Sequence, residues 1–182
     1  GSEIFTAGLS HAASRTPTAS FMQMDARRIP FANEYDAIGA FDVLEHIEED
    51  RTALEQLHRA LKIGGVLLLT VPQHPVLWSA SDDYAFHVRR YTNSELLDKV
   101  QTAGFQVEKN TSFVSFLLPI MLLSRIRPKQ ESEAYNPTAE LLLPNKLNRV
   151  LECIMMLERK LIELGVGFPV GGSRLMIARK KV

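Results

Sequence analysis

The sequence contains only one cysteine, Cys153, among its 182 residues. A single thiol excludes an intramolecular disulfide and a zinc cluster built from cysteines. It is typical of a protein in a reducing compartment, so we expect a cytoplasmic location. Neither sign of charge is in excess, because 21 basic residues balance 21 acidic residues. The chain therefore has no overall field that would attract nucleic acid, and no nucleic-acid partner is predicted.

Long apolar runs are also lacking. The longest, residues 113–123, is interrupted by Ser115 and Pro119. A membrane-spanning helix needs roughly 20 apolar residues, so this run is too short to be one. Basic residues follow the run, as they do in segments that lie on a membrane surface. Peripheral membrane contact therefore stays open, beside the alternative of a helix that simply packs on the rest of the protein.

What the sequence does contain is an alternation of strand-like and helix-like segments, and its length favours a single domain over residues 1–182. The predicted strands are 21–25, 35–41, 66–71, 105–113 and 174–180. Apolar residues at helical spacing, and a capping-box pattern that starts at Thr92, predict helices between several of these strands. Strands that alternate with helices form crossover units. We therefore predict an α/β fold with a doubly wound, mostly parallel sheet.

Residues 114–172 interrupt this alternation before the last strand. Apolar residues at spacings of three and four predict one long helix with a single apolar stripe. These residues are Leu147, Val150, Ile154, Leu157, Leu161 and Leu164. We predict a helical insertion or lid, whose apolar surface would face a membrane, pack on the sheet or form a homodimer interface.

Acidic residues stand where strands are expected to end, and in open parallel sheets ligands bind beyond the carboxyl ends of the strands. Glu3 could accept hydrogen bonds from both hydroxyls of a ribose, and Asp25 could accept one from an adenine amine. The residues alone leave two alternatives open. Glu3 could be a solvated residue next to a cloning remnant, and Asp25 could cap the following turn.

The third acidic position is the string FDVLEH, residues 41–46. It places two carboxylates and an imidazole just past a strand. His46 titrates near neutrality and could accept a proton from a reacting hydroxyl. Alternatively, Asp42, Glu45 and His46 could bind a hard divalent cation, or the string could be an acidic helix start with an ordinary histidine.

Four strings in order carry a resemblance to a known family: MDARRIPF, YDAIGAFDVLEHIEED, LHRALKIGGVLLLTVP and HVRRYTNSELLDKVQTAGF. They resemble the class I S-adenosylmethionine-dependent methyltransferases, within the bacterial group that acts on small-molecule or lipid-linked acceptors. The resemblance covers residues 1–113 and 173–180. It implies a Rossmann-like sheet, S-adenosylmethionine as cofactor, and a methyl-transfer reaction, which we predict to be O-methylation.

The resemblance also implies residue roles on the cofactor side. Glu3 matches the acid that binds the ribose, and Ile4 would pack on the adenine. Asp25 and Ala26 match the site at the adenine edge. Phe41 and the adjacent Asp42 match the stretch that passes the methionine part of the cofactor.

On the acceptor side, His46 and His87 are the candidate bases, because an oxygen nucleophile must lose its proton. Arg89 and Arg90, next to Tyr91, could clamp an anionic acceptor, or they could merely solvate the approach to the next helix. Trp78 could line the acceptor cleft or simply pack.

The string DVLEH is similar to the E-x-x-E-H of ubiquinone-pathway O-methyltransferases, in which the acids and the histidine bind magnesium. Asp42 stands here in place of the first Glu, and no metal site is predicted.

The family opens with a strand and a glycine-rich turn, E/D-x-G-x-G-x-G, and this sequence contains no such motif. We therefore expect that the first strand of the sheet is missing from the sequence and that the chain is part of a longer protein. The alternative function is a non-catalytic remnant that serves as a binding or assembly module. A short-chain reductase is excluded, because no tyrosine is followed four residues later by lysine.

Overall fold

The computed structural model describes residues 1–126 and 144–181. The strands are β1 (Ser2–Glu3), β2 (Met22–Gln23), β3 (Tyr35–Phe41), β4 (Leu61–Pro72), β5 (Phe105–Phe113) and β6 (Ser173–Lys180). The helices are α1 (Thr6–Arg15), α2 (Asp50–Ala60), α3 (Ala80–Tyr84), α4 (Asn93–Thr102), α5 (Leu118–Ile126) and α6 (Asn145–Glu163). Short 3-10 turns lie at Leu44–His46 and Pro75–Leu77.

The main sheet has four strands in the order β3-β4-β6-β5. Strands β3 and β4 are parallel, and β6 runs antiparallel to both of its neighbours, so β5 is parallel to β4. Strands β1 and β2 form a separate parallel pair. The predicted α/β class is confirmed, and the sheet, which was predicted to be mostly parallel, is mixed. Among the described strands, the edge of β3 away from β4 has no partner; the absence of a first strand from the sequence stays a prediction.

One face of this sheet carries the hydrophobic core. Helices α2 and α4 bury apolar residues at helical spacing against alternate residues of β4. The fully or almost fully buried residues include Leu54, Leu57, Leu96, Val100, Leu67 and Leu69. Each buried leucine stabilises the fold by about 2 kcal/mol. This packing fixes both helices, and therefore the loops that precede them, against the sheet.

The junction between α2 and β4 differs from the prediction. The strand was predicted over residues 66–71, but α2 ends at Ala60 and β4 already begins at Leu61. Gly64 has a φ of +80°, which favours glycine. A Cβ on Gly65 would lie 2.9 Å from the carbonyl oxygen of Lys62. The glycines therefore shape the first part of β4 and do not end the helix.

The described part of the predicted insertion, residues 114–172, contains α5 and α6. The buried Glu158 of α6 accepts hydrogen bonds through Oε2 from the backbone N–H groups of Ser115 (2.8 Å) and Phe116 (2.9 Å). This ties α6 to the loop after β5. Residues 127–143 of the insertion lie outside the described residues. No described helix is both long enough and apolar enough to cross a membrane.

A buried ionic cluster links α2 to α4. The Asp50 carboxylate, at the start of α2, accepts hydrogen bonds from Lys99 Nζ (2.6 Å), Tyr91 OH (2.7 Å) and Arg89 (2.8 Å). Burial raises the pKa of the Asp50 carboxyl, but the bonds from Lys99 and Tyr91 outweigh it, and the pKa lies below its ordinary value. A carboxylate with this many partners is charged in the native state, and its removal leaves Lys99 and Arg89 short of a counter-charge.

We predict that Asp50→Asn lowers the free energy of unfolding by about 3 kcal/mol. Urea denaturation followed by circular dichroism measures this loss. Because the folded-state pKa is depressed, the Asp50 contribution is present above pH 4 or so and is lost as the pH falls through the lowered pKa. Asp98→Asn is the matched control, because Asp98 pairs with Arg51 on the exposed surface and its loss should cost less than about 1 kcal/mol. Equal losses of unfolding free energy in the two variants would contradict the stabilising role given to Asp50.

Candidate functional site

The candidate site lies at the carboxyl ends of β3 and β4. Strand β3 ends at Phe41, and Asp42 then adopts a φ of +51°, a left-handed conformation that turns the chain into the 3-10 turn Leu44–His46. The Asp42 N–H donates to the Thr70 carbonyl of β4 at 3.0 Å, and the Thr70 hydroxyl donates to Asp42 Oδ1 at 3.2 Å. This turn is anchored to β4, so the residues that follow it have a fixed position.

Glu3 ends β1, where the cofactor acid was expected. Its Oε1 accepts hydrogen bonds from the N–H groups of Ile4 (2.7 Å) and Phe5 (3.1 Å), and Oε2 takes no part in these two bonds. The carboxylate is exposed. A side chain held by its own backbone, with one oxygen directed elsewhere, can still accept a hydroxyl donor.

Asp25 follows β2 and is already engaged. Arg27 donates to both of its carboxylate oxygens, at 2.8 to 3.1 Å, and the Arg27 N–H donates to Oδ1 at 2.8 Å. Hydrogen bonds from Arg27 lower the pKa of the Asp25 carboxyl, which is therefore charged at neutral pH. Arg27 also pairs with Glu49 at 3.0 Å. An adenine amine would have to share this carboxylate with Arg27, so Asp25 fits the turn-capping alternative as well as the cofactor role.

The apolar members of the predicted cofactor set are partly exposed. Phe41 is 57% exposed and Ile4 is 44% exposed, whereas Ala26 packs at the margin of the core. Exposed rings and branched chains at strand ends are suited to stack on a flat heterocycle. Arg27, in the loop after β2, pairs with Glu49, which lies beyond β3. This ion pair places the carboxyl ends of β2 and β3 on the same side of the molecule.

Glu45 is the least expected member of the site. Its side chain is 1% exposed, and neither carboxylate oxygen has a hydrogen-bond partner among the described residues. Burial, with repulsion from Asp42, raises the pKa of the Glu45 carboxyl to about 8. A buried carboxyl without a partner is costly, and such groups concentrate at functional sites.

Glu45 lies beside two imidazoles. The rings of His46 and His87 meet edge to face, with 4.7 Å between their centroids. One ligand atom each from Glu45, His46 and His87 can be chosen so that all three lie within 4.8 Å of one another. The backbone brings the two segments together, because the Val88 N–H donates to the Glu45 carbonyl oxygen at 2.7 Å. Desolvation and the neighbouring His87 lower the pKa of the His46 imidazole, so this ring is neutral at pH 7.

The Asp82 carboxylate orients His87. Asp82 is buried, and its Oδ1 lies 2.9 Å from Nδ1 of His87, which leaves the other ring nitrogen, Nε2, directed away from it. Arg90 donates to both oxygens of Asp82, at 2.8 and 3.0 Å. Burial raises the pKa of the Asp82 carboxyl, but the bonds from Arg90 and His87 outweigh it and hold the pKa below its ordinary value. A charged Asp82 favours the tautomer in which Nδ1 carries the proton and Nε2 can accept one.

The residues predicted to bind the acceptor have structural partners here. The Arg90 side chain is buried against Asp82, and Arg89 donates to Asp50 and to the Glu48 carbonyl. An anionic acceptor would therefore have to displace a carboxylate from either guanidinium. Tyr91 is fully buried and donates to Asp50 and to the Leu44 carbonyl, so in this arrangement it supports the fold and does not face a cleft.

Trp78 is partly buried, and its indole N–H donates to Asp83 at 2.8 Å. This contact holds the ring on the same loop as His87. That Trp78 lines an acceptor cleft therefore stays a prediction.

The magnesium set implied by the DVLEH string does not assemble. Asp42 is exposed and bonded to Thr70, and the candidate ligands that do meet are Glu45, His46 and His87. Magnesium prefers oxygen ligands in an octahedral shell, and two imidazoles with one carboxylate do not match that preference. The residues present therefore do not fit a magnesium ion.

Comparison with known proteins shows that part of this chain is similar in sequence to methyltransferases. Residues 1–69 match a family model described as a methyltransferase domain (Methyltransf_11). A protein of Mycolicibacterium smegmatis described as an S-adenosylmethionine-dependent methyltransferase is 28% identical over 106 residues, which are 56% of this chain and 41% of that protein. A ubiquinone/menaquinone biosynthesis C-methyltransferase of Pseudoalteromonas translucida is 35% identical over 72 residues, 37% of this chain and 29% of the relative. The chain therefore spans less than half the length of these relatives.

Solved structures decide the fold. The structure resembles one from the complex between the Haloferax volcanii Trm112 methyltransferase activator and a methyltransferase, with a TM-score of 0.65 and 16% identity, over 100% of this chain and 71% of that chain. The fold is that of a class I methyltransferase. Residues 1–69 match a methyltransferase domain, and one relative is described as an S-adenosylmethionine-dependent methyltransferase; both findings support the predicted enzyme class and cofactor.

Two features of the candidate site could not be predicted from the sequence. Asp82 was not singled out, because its role depends on the fold that brings its carboxylate to His87 and Arg90. The isolation of the Glu45 carboxyl could not be inferred, because it depends on what the loop after β4 places over it. The sequence shows that a glutamate stands at position 45, but it does not show that the carboxyl lacks a hydrogen-bond partner.

We predict that Glu45 makes stability depend on pH. The folded-state pKa is raised from 4.5 to about 8, so the native state retains a proton that the unfolded state has released. Stability therefore falls as the pH rises from about 5 to 8, by about 1 kcal/mol per pH unit from this group. In the Glu45→Gln variant this part of the slope disappears, and the variant is more stable than the parent at pH 7.

Urea unfolding at several pH values, in buffer with EDTA, measures the slope. Glu55→Gln, which changes an exposed glutamate of α2, is the matched control and should retain the parental slope. A parental slope in Glu45→Gln would show that the carboxyl is not isolated as described.

Proposed function

We propose that this protein transfers a methyl group from S-adenosylmethionine to a small-molecule or lipid-linked acceptor by O-methylation. The observation that carries the proposal is the match of residues 1–69 to a methyltransferase domain. S-Adenosylmethionine supplies a methyl group on a sulfonium, which is already activated for in-line displacement. The tasks left to the protein are to orient both reactants and to hold the proton that the acceptor loses.

On the cofactor side, the proposal assigns the ribose to Glu3, the adenine to Ile4 with Asp25 and Ala26, and the methionine part to the Phe41–Asp42 turn. The exposed carboxylate of Glu3 and the exposed side chains of Ile4 and Phe41 support it. A ribose offers two hydroxyl donors at the spacing of one carboxylate.

We predict that S-adenosylhomocysteine, the product of methyl transfer, binds to the protein and that Glu3→Gln weakens this binding by about 10-fold. The reason is that an amide replaces a charged acceptor, and a charge-assisted hydrogen bond contributes about 1.5 to 3 kcal/mol. Isothermal titration calorimetry measures the dissociation constant. Glu34→Gln, at an exposed glutamate just before β3, is the control and should bind as the parent does. A folded chain that binds no S-adenosylhomocysteine favours the alternative function, a non-catalytic binding or assembly module.

On the acceptor side, His87 is the candidate base that the geometry supports best. Asp82 fixes its Nδ1, so Nε2 can accept the proton of an acceptor hydroxyl. His46, with a lowered pKa, is neutral at pH 7 and is the second candidate. The neutral His46 ring can accept a proton without first losing one.

We predict that His87→Asn lowers turnover by at least about 100-fold and that His46→Ala lowers it more than it lowers cofactor affinity, because general-base catalysis contributes about 10²- to 10⁴-fold. The assay follows tritiated methyl from S-adenosylmethionine into a naphthohydroquinone, chosen for the relative that acts in quinone biosynthesis. His11→Asn, in the exposed α1, is the control. Unchanged turnover in a variant would remove that histidine from the mechanism.

Apolar surface near the sheet supports the proposal of a lipid-linked acceptor. A cavity of 560 Å³ lies between α6 and the sheet, lined by residues such as Phe113, Met155, Met156, Ile162 and Leu175. Several apolar side chains of α5 and α6 are exposed, among them Ile120, Leu123 and Leu157. We propose that this surface meets the apolar part of a lipid-linked acceptor at the membrane. A homodimer through the same helices is the alternative.

C-methylation is the second candidate, because the relative from Pseudoalteromonas translucida is described as a C-methyltransferase. Both reactions begin with removal of a phenolic proton, since the resulting phenolate can react through oxygen or through a ring carbon. The product of the same assay distinguishes them, because an O-methyl ether and a ring methyl group give different proton chemical shifts.

A further inference from the structure

We propose that Glu45, His46 and His87 form a binding site for a transition-metal ion, with Zn²⁺ as the ion that the ligand set suits best. The inference concerns the same cluster as the candidate base, and a bound ion would occupy the ring nitrogens that otherwise accept a proton, so the two roles belong to different states of the cluster. The inference depends only on the arrangement of these side chains. It needs neither the cofactor nor methyl transfer.

The first support is the isolation of Glu45. Its carboxylate is 1% exposed, and neither oxygen has a hydrogen-bond partner among the described residues. Leaving a buried carboxyl unpaired costs free energy, and a bound cation would remove that cost. The imidazoles of His46 and His87 contribute ligand atoms within 4.8 Å of the carboxylate and of each other. A buried acceptor without a partner therefore lies within 4.8 Å of two imidazole nitrogens.

The second support is the set of groups around the ligands. Ring nitrogen Nδ1 of His87 is held by Asp82 at 2.9 Å, and Asp82 is held in turn by Arg90. A histidine that binds a metal usually donates its other ring N–H to a carboxylate or a carbonyl, which fixes the tautomer and the orientation of the ring. The His87 imidazole thus has the supporting partner that metal ligands have.

The chemistry of the donors selects the ion. Two imidazole nitrogens and one carboxylate suit zinc and its neighbours in the first transition row, whereas magnesium and calcium prefer oxygen. In a tetrahedral zinc site the ligand atoms are about 3.3 Å apart, given zinc–ligand distances of about 2.0 Å. The three side chains must therefore approach one another slightly, and the exposed His46 ring has room to move. Three protein ligands leave a fourth position open to solvent or to an oxygen of a small molecule.

The test uses the full chain, purified without a polyhistidine tag, stripped with EDTA and desalted. Isothermal titration calorimetry with zinc chloride should give one site per chain with a dissociation constant in the micromolar range or below. Magnesium chloride should show no binding up to millimolar concentrations. Cobalt chloride should give the visible absorption bands of a four-coordinate Co²⁺ ion.

Variants then assign the ligands. His87→Asn and Glu45→Gln should each weaken zinc binding by at least about 10-fold, and Asp82→Asn by about 10-fold through loss of ring orientation. His46→Asn removes an exposed ligand, so its effect can be read even if a buried variant fails to fold. His11→Asn, at an exposed histidine of α1, should bind zinc as the parent does.

The inference would be overturned by the absence of stoichiometric zinc binding by the folded parent, or by parental affinity in both His46→Asn and His87→Asn. Equal affinity for magnesium would also overturn it, because oxygen ligands would then be responsible. Since no cofactor is added, a failure here leaves the proposed methyl transfer untouched. A failure to bind S-adenosylhomocysteine likewise leaves the metal site untouched.

Discussion

The buried carboxylate of Asp82 is the contact on which the arrangement of this site depends. It joins Ser79, His87 and Arg90, which all belong to the long connection between β4 and α4, into one cluster. Within this connection only the 3-10 turn Pro75–Leu77 and the short helix α3 are regular, so its course depends largely on such contacts. Because Asp82 is buried and charged, its donors cannot leave without exposing an unpaired ion to an apolar surrounding. The position of the His87 ring follows from that constraint.

Glu45, which is close enough in space to feel the charge of Asp82, is a buried acid with the opposite charge state. Asp82 has a guanidinium and an imidazole as partners and stays charged, whereas Glu45 has none and retains its proton at neutral pH. Neighbouring carboxyls whose environments move their pKa values in opposite directions are a recurring feature of sites that handle charge. The difference is set by the Arg90 side chain, which donates to Asp82 and only acts at a distance on Glu45.

Local signals predicted much of the fold and less of the site. The bounds of β3 and β5 match the predicted segments, and Thr92 caps α4 by accepting the Glu95 N–H at 3.2 Å, as the capping-box pattern indicated. These features depend on residues close in sequence. The contacts of Arg89 and Tyr91 depend instead on a residue far away in sequence, since both bind Asp50, some 40 residues earlier in the chain. A sequence shows an arginine that could clamp an anion, but only tertiary structure shows that the anion is a carboxylate of the same protein.

The first turn of α2 relates the two sides of the proposed reaction. Glu49 pairs with Arg27, the partner of Asp25 on the cofactor side, and the adjacent Asp50 pairs with Arg89, which precedes Arg90 on the acceptor side. Acids at a helix N-terminus are stabilised by the helix dipole, so both carboxylates are well placed to remain charged. Helix α2 is itself fixed on the sheet by Leu54 and Leu57. The hydrophobic face of one helix thus sets the spacing between two clusters that its polar end holds, and in the proposed reaction that spacing would separate the methyl donor from the acceptor.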